Sequence, residues 1–269
     1  DIATNEKTSL VQEGMQFDTD LLNQERKRVA SAMRRRGYYY FDEELIYYSA
    51  DSTKSNGEVD IEMKLIDSLN IVEGYDKIFR KYRIAKVFFH IDYDTTRISQ
   101  SEEMYSNSVG NYVFTWGGKK LLRDKVLIRN CPIRPGDLYS EYLLERAYVR
   151  LNQLAPIKYV DINFEPVDPD CPSAADTLLN CHIVLSRNKL NSVSAEIEGT
   201  YSAGDWGVAL GAGYMNRNLF KGAEEMSVNA RASYEWRQNG GRAIEAKAAA
   251  ELKFPSAVAV NISYNFQNR

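Results

Sequence analysis

From Val193 to Phe266 the chain alternates apolar and polar residues one for one, in long runs separated by turn residues. Val193, Ala195, Ile197, Gly199 and Tyr201 alternate with Ser194, Glu196, Glu198 and Thr200. Trp206, Val208, Leu210, Ala212 and Tyr214 alternate with Gly, Ala and Met; Met226, Val228, Ala230, Ala232, Tyr234 and Trp236 alternate with Ser227, Asn229, Arg231, Ser233, Glu235 and Arg237. The runs from Ile244 to Phe254 and from Val258 to Phe266 continue the pattern. A period of two predicts strands with one apolar and one polar face. A soluble sheet packing its apolar face on a core is the ordinary home for such strands. Soluble strands, however, average about 5 or 6 residues, and a tilted strand crossing a bilayer needs about 10, which these runs reach. Aromatics at Tyr201, Trp206, Tyr214, Tyr234, Trp236, Tyr264 and Phe266 fall near the ends of the runs, as interfacial girdles would. The pattern therefore predicts strands of a membrane β-barrel.

The preceding residues hold a repeated unit. The segment GMQFDTDLLNQERKRVASAMRRRGYYYFDEELIYY from Gly14 and the segment GDLYSEYLLERAYVRLNQLAPIKYVDINFEPV from Gly136 share one layout. Each opens with Gly and an aromatic (Phe17, Tyr139), then a helix N-cap (Asp18, Ser140), then apolar residues at helical spacing. Leu21, Leu22, Val29 and Met33 form one stripe, and Leu143, Leu144, Ala147, Leu151 and Leu154 the other. Each helix ends at a breaker, Gly37 or Pro156, and passes into a predicted strand, Tyr38 to Tyr48 or Ile157 to Pro166. A second strand follows, Val59 to Ile66 or Leu178 to Leu185. The second unit has in addition an earlier strand, Tyr82 to Ile91, and a short helix, Leu122 to Arg129, so its order is β-α-α-β-β. Residues 92–121 read as an irregular insertion with one short strand, Tyr112 to Trp116. The expected domains are 1–78, incomplete at its N-terminus, then 79–190, then the strands of 191–269.

Composition removes several function classes. A net charge of -3 supplies no positive field for nucleic acid. No stretch reaches the roughly 20 apolar residues of a membrane helix. The chain begins at Asp1 with no apolar leader, so an export signal is expected to have been removed or left out. Cys131, Cys171 and Cys181 lack the paired spacing of a zinc site. Cys171 and Cys181 could pair in an oxidising compartment, but three reduced thiols are the leading expectation.

YMNRNLFKGAE, Tyr214 to Glu224, directly follows the glycine-rich GVALGAG and closely resembles the first barrel hairpin of the Omp85 superfamily. The βααββ unit resembles that superfamily's POTRA domain, IRPGDLYS the entry to its second helix, and SAEIEGTYSAGDWG its first barrel strand and turn. With GYYYF at Gly37 to Phe41 and NCHIVLSRNK at Asn180 to Lys189, the likeness is greatest to the TamL branch, the TamA/BamA-like lipoproteins of Bacteroidetes. The resemblance implies an α+β fold of periplasmic POTRA domains followed by the first strands of an antiparallel transmembrane β-barrel. It implies a non-catalytic role in outer-membrane biogenesis, with the barrel in the bacterial outer membrane and the POTRA arm in the periplasm. Expected partners are nascent outer-membrane proteins and outer-membrane lipids, together with a TamB-like periplasmic protein or other assembly subunits. Phospholipid transport is then as plausible an output as protein insertion. The alternatives are a BamA-type core insertase and a periplasmic adaptor whose terminal sheet is soluble. The family's barrel has about sixteen strands. Five are therefore expected to be only part of it, and AELKFPSAVAVNISYNF and Gly240-Gly241 read as places where separate stretches adjoin.

Two sets of residues carry the expected function. By resemblance, Val193, Ala195, Ile197, Gly199 and Tyr201 form the seam strand that pairs with substrate, and Asn216, Arg217, Asn218, Leu219, Phe220, Gly222 and Glu224 form the barrel hairpin motif. No catalytic, metal or cofactor residues are expected. His90 and His182 lie in separate motifs without a nucleophile and read as packed or edge-facing. The acid pairs Asp42-Glu43, Glu102-Glu103 and Glu224-Glu225 read as solvated charge, and Arg34-Arg35-Arg36 as a helix C-terminus facing water.

Overall fold

The computed structural model describes residues 9–53, 58–66, 75–91, 104–167, 177–202, 204–237, 240–255 and 257–268. The first unit is helix α1 (Thr19–Arg34) followed by the antiparallel hairpin β1 (Ile46–Asp51) and β2 (Asp60–Leu65), then the short helix α2 (Tyr75–Ile78). Asp18 caps α1, its side chain accepting from the Asp20 amide. Val29 and Ala30 pack on Phe41 and Ile46 in a small core. That core corrects the expected strand: β1 starts only at Ile46, because Phe41 turns inward and Asp42 caps a 3-10 turn over Glu43–Leu45. Glu25 is fully buried on α1. It grips Arg28 through two hydrogen bonds and accepts from the Leu10 amide and the Ser9 hydroxyl, so the chain entering the unit is tied to the helix. Burial raises its carboxyl pKa, but these partners outweigh that and leave it below the usual value.

The second unit runs β3 (Arg83–Ile91), β4 (Met104–Val109), β5 (Tyr112–Gly117), α3 (Asp124–Asn130), α4 (Glu141–Asn152), β6 (Ile157–Pro166) and β7 (Leu178–Arg187). Its sheet has the order β4-β5-β3-β7-β6, with β3 parallel to both neighbours and the outer pairs antiparallel. β3 and β7 pair in parallel because β6, which follows α4 and lies antiparallel to β7, takes up the reversal of direction. The β-α-α-β-β order thus stands, but the insertion is a two-stranded hairpin rather than one strand, and it extends the sheet beyond β3. Alternate residues Val87, Phe89 and Ile91 on β3 and Leu179, Cys181, Ile183 and Leu185 on β7 face Leu127 of α3 and Ala147 and Leu151 of α4. Ser140 stands at the start of α4 but makes no side-chain cap bond. No helix among the described residues is long and apolar enough to cross a membrane.

The third part is a meander of β8 (Asn191–Ser202), β9 (Asp205–Asn216), β10 (Glu225–Trp236), β11 (Arg242–Phe254) and β12 (Ala257–Asn268), each paired antiparallel with the next. The register lines up Val193, Tyr214, Val228, Ala250 and Ile262 in one cross-strand row and Ile197, Leu210, Ala232, Ala246 and Phe266 in another. Rows of Ser194, Gly213, Asn229, Ala249 and Ser263, and of Glu196, Gly211, Arg231, Lys247 and Asn265, lie between them on the other face. The apolar face is bare. Val208 and Leu210 are exposed on it, while Gly207 and Ala209 on the other face of β9 are covered by their neighbours. Tyr201, Trp206, Tyr234 and Trp236 gather at the strand ends far from the arm, with ring centroids 4.7 Å apart in the first pair and 4.4 Å in the second. Tyr264 and Phe266 depart from the girdle expectation: the stagger of β12 sets them opposite Ala248 and Ala246, in the middle of β11. The suspected joins fall at the β10–β11 and β11–β12 turns, and both pairs are in antiparallel register.

Leu151 is fully buried beneath the second unit's sheet, so Leu151→Asp should unfold that unit at a cost of several kcal/mol for an unpaired buried carboxylate. Limited proteolysis should then cut between Tyr82 and Arg187 while the strands from Asn191 stay protected; an equally resistant second unit would show that the core face is misassigned.

Candidate functional site

The strand expected from sequence to be the seam, β8, is one of the two edge strands of the meander, β12 being the other. β8 pairs with β9 on one side, and no strand lies on its other side among the described residues. Its apolar side chains stand out into the surroundings, Val193 being 81% and Ile197 83% exposed. Val193, Ala195, Ile197, Gly199 and Tyr201 share one face, as alternation requires. The free edge offers a row of backbone N-H and C=O groups at strand spacing, a template that an added strand satisfies. Where water is excluded, each such group left unpaired costs several kcal/mol.

The hairpin motif builds a joint between this sheet and the second unit. The Asn216 carboxamide oxygen accepts from the Asn218 amide at 2.9 Å, starting the turn, and its amide group donates to Asn191 on β8 at 2.7 Å. Asn218 donates to the Leu121 carbonyl of the second unit at 2.7 Å and accepts from the Ala223 amide at 3.2 Å. Lys221 accepts from the Arg123 amide at 3.0 Å, and Arg217 reaches the carbonyls of Leu190 and Lys189 through its amide and guanidinium. Ala223 is 4% exposed and belongs to the second unit's core, not to the sheet's. Lys221 and Ala223 hold φ of 60° and 63°, a strained left-handed backbone that the turn imposes. Glu224 is not solvated charge, as the sequence reading held; its carboxylate accepts from the Phe220 amide at 3.2 Å and the Gly222 amide at 2.9 Å. A side chain at residue 222 would collide with that carboxylate, which explains Gly222. Leu219 closes the turn through its amide to the Glu224 carbonyl, and Phe220 is left exposed at the tip.

On the polar face β9 carries almost no side chains. A Cβ at Gly207 would meet the Thr200 hydroxyl, and one at Gly213 the Ser194 hydroxyl and the Asn229 carboxamide. The bare strand lets Arg231 on β10 reach across it to pair with Glu198 on β8. That ion pair braces the edge strand from two strands away.

The joint between the first two units was missed by the sequence reading. Arg34 does not face water: its guanidinium binds Glu141 at the start of α4 at 2.8 Å, and Ser31 joins the same carboxylate. Arg35 pairs with Glu145 at 3.8 Å. Tyr39 inserts edge-on against Tyr139, Phe164 and Tyr82. The signal was the GYYYF run, whose exposed-looking aromatics needed a partner. His90 and His182 are not isolated either; their rings meet across β3 and β7 with facing nitrogens 3.1 Å apart. Glu102-Glu103 lies outside the described residues. No group of three or more metal-ligating side chains occurs among the described residues. Cys131 and Cys181 are free, buried thiols, and Cys171 lies outside the described residues.

No protein-family model and no curated protein matches this chain. Among solved structures it is similar to BamA from Haemophilus ducreyi lacking POTRA domains 1-3, at 13% identity and a TM-score of 0.48, over 95% of this chain and 46% of that one. It is similar also to CdiB from Acinetobacter baumannii, at 11% identity and a TM-score of 0.44, over 93% of this chain and 36% of that one. POTRA1-3 of the periplasmic domain of Omp85 from Anabaena matches 66% of this chain and 55% of its own, at 11% identity and a TM-score of 0.31. The chain spans less than half the length of the first two.

Two measurements check the site. Asn218→Ala removes both contacts that dock the turn and should cost about 1 to 3 kcal/mol; hydrogen exchange at Arg123 and Ala223 should accelerate, while the β9–β10 ladder stays protected. Burial pushes the Cys131 thiol up to about 11 and the Cys181 thiol well above its ordinary value. Neither should be alkylated at pH 8 until the second unit is unfolded, as site-resolved mass spectrometry would report.

Proposed function

We propose that this chain is the periplasmic arm and first barrel strands of an outer-membrane assembly factor of the Omp85 type, a non-enzymatic protein that pairs incoming strands at β8. One observation carries the reading: five strands of 12 or 13 residues carry bare apolar rows on one face and charged rows on the other. Twelve residues at about 3.3 Å each reach about 40 Å, and a tilt of about 45° brings this to about 28 Å, close to the roughly 30 Å hydrocarbon core. An apolar face of this extent in water would drive association, whereas in lipid it is the required surface.

The arm then lies on the side where β8 begins and the β9–β10 turn docks, which is the periplasmic side in this reading. The open β8 edge is supported as the acceptor by its chemistry, since strand addition uses only backbone groups and tolerates many sequences. Within the type, GYYYF and NCHIVLSRNK favour the TamL branch, with a TamB-like periplasmic partner. The output in that branch is phospholipid transport as well as insertion of nascent outer-membrane proteins.

Single cysteines test both parts. Lipid-soluble probes should label positions 228 and 230 several-fold more than 229 and 231, and a cysteine at 193 or 197 should crosslink to a stalled substrate strand. Stronger labelling at 229 and 231 would reject the membrane placement. Crosslinks absent from β8 but present elsewhere would reject the acceptor edge, and solubility of the whole chain without detergent would favour the adaptor.

A further inference from the structure

The face of the second unit's sheet turned away from α3 and α4 carries a chain of side chains running across four strands. Thr115 on β5, His90 on β3, His182 on β7 and Glu165 on β6 stand in one line. The His90 Nδ1 lies 2.8 Å from the Thr115 hydroxyl, which itself donates to the Phe89 carbonyl at 3.4 Å. A His90 tautomer with its hydrogen on Nδ1 satisfies both Thr115 contacts and presents a lone pair at Nε2. That lone pair faces the His182 Nδ1 at 3.1 Å. The ring planes are 2° apart and the centroids 5.4 Å apart, longer than the nitrogen separation by about two ring radii, so the nitrogens point at each other nearly head on. This is the geometry of one N-H···N hydrogen bond, with His182 donating. Phe88 stacks on His182 at 4.6 Å and walls the pair. The His182 Nε2 is left facing the Glu165 carboxylate at 3.6 Å.

We propose that this imidazole pair is an acid-released tie between β3 and β7, the central strands of the unit. With one added proton the pair keeps a single N-H···N bond; a second sets two N-H groups and two positive rings against each other, breaking the bond between the strands. Charged residues on β3 and β6 near the pair include Lys86 and Asp161; Asp161 is engaged by Asn163 at 2.7 Å, and Arg83 at the start of β3 donates to the Gly136 carbonyl at 3.0 Å. Burial foremost, then the neighbouring His182, lowers the pKa of His90, against a smaller opposing pull from Glu165. A lowered imidazole pKa means that the unfolded chain takes up this proton first. The tie's contribution is therefore whole above about pH 6.5 and is lost as pH falls from there towards the lowered value. Only three residues separate β7 from β8, so loosening at β7 reaches the base of the edge strand.

The whole chain holds 2 histidines, so nitrogen-15 labelling of histidine in the full chain gives a spectrum of this pair alone. The expected result is a His90 ring protonated on Nδ1 at neutral pH, and two protonation steps on acidification separated by more than about one pH unit. Hydrogen exchange at the β3 and β7 amides should quicken about tenfold across the lower step, and the β8–β9 amides should lag behind. Thr115→Val keeps the shape but frees the tautomer, and should bring the steps together; His182→Gln should leave His90 titrating in a single step. Two histidines titrating together in the unaltered chain, or strand amides indifferent to the lower step, would overturn the tie.

Discussion

Everything in the last third of this protein depends on register. β8 to β12 are in antiparallel phase such that Val193, Tyr214, Val228, Ala250 and Ile262 line up, as do Glu196, Gly211, Arg231, Lys247 and Asn265. A slip of one residue in any strand would carry its charges to the apolar face and its valines and tyrosines to the other. Under the proposed membrane placement, an arginine moved so would cost roughly 2 to 4 kcal/mol at the midplane. The ion pair of Arg231 with Glu198, spanning the glycines of β9, secures the same phase from the polar side.

The arm is built on a different balance. Its sheet hides an apolar face under α3 and α4, and the units are joined by short-range contacts of high specificity. Tyr39 and the pair of Arg34 with Glu141 link the first unit to the second. Asn218 and Ala223 link the second unit to the strands. The last joint places a turn of the meander in the core of the arm, so the two cannot move apart without opening that core. The turn accepts a strained backbone at Lys221 and Ala223, which is what a turn held from both sides can maintain.

The edge of β8 and the joint below it are therefore parts of one device. Asn216 belongs to both, because it starts the docked turn and also binds Asn191 at the foot of β8. If a strand adds at β8 as proposed, it would be presented at a fixed height above the arm, since the foot of its partner is fixed.

Alternation by itself determined the five strands and the face each residue takes, because a period of two leaves no freedom once a strand forms. Helical spacing likewise determined α1 and α4, and the breakers at Gly37 and Pro156 their ends. The GYYYF run read as the start of a strand, since aromatics favour strands locally; only tertiary packing, with Phe41 drawn into a core and Tyr39 into the next unit, made it a turn. The insertion's outer strand, MYSNSV, is too polar to announce itself and forms because β5 offers it a backbone edge. His90 and His182, 92 positions apart, had no local signal of contact. Parallel pairing of β3 with β7 decided that meeting, because the register of two distant strands is set by how their core faces pack against α3 and α4 and not by any residue within either motif.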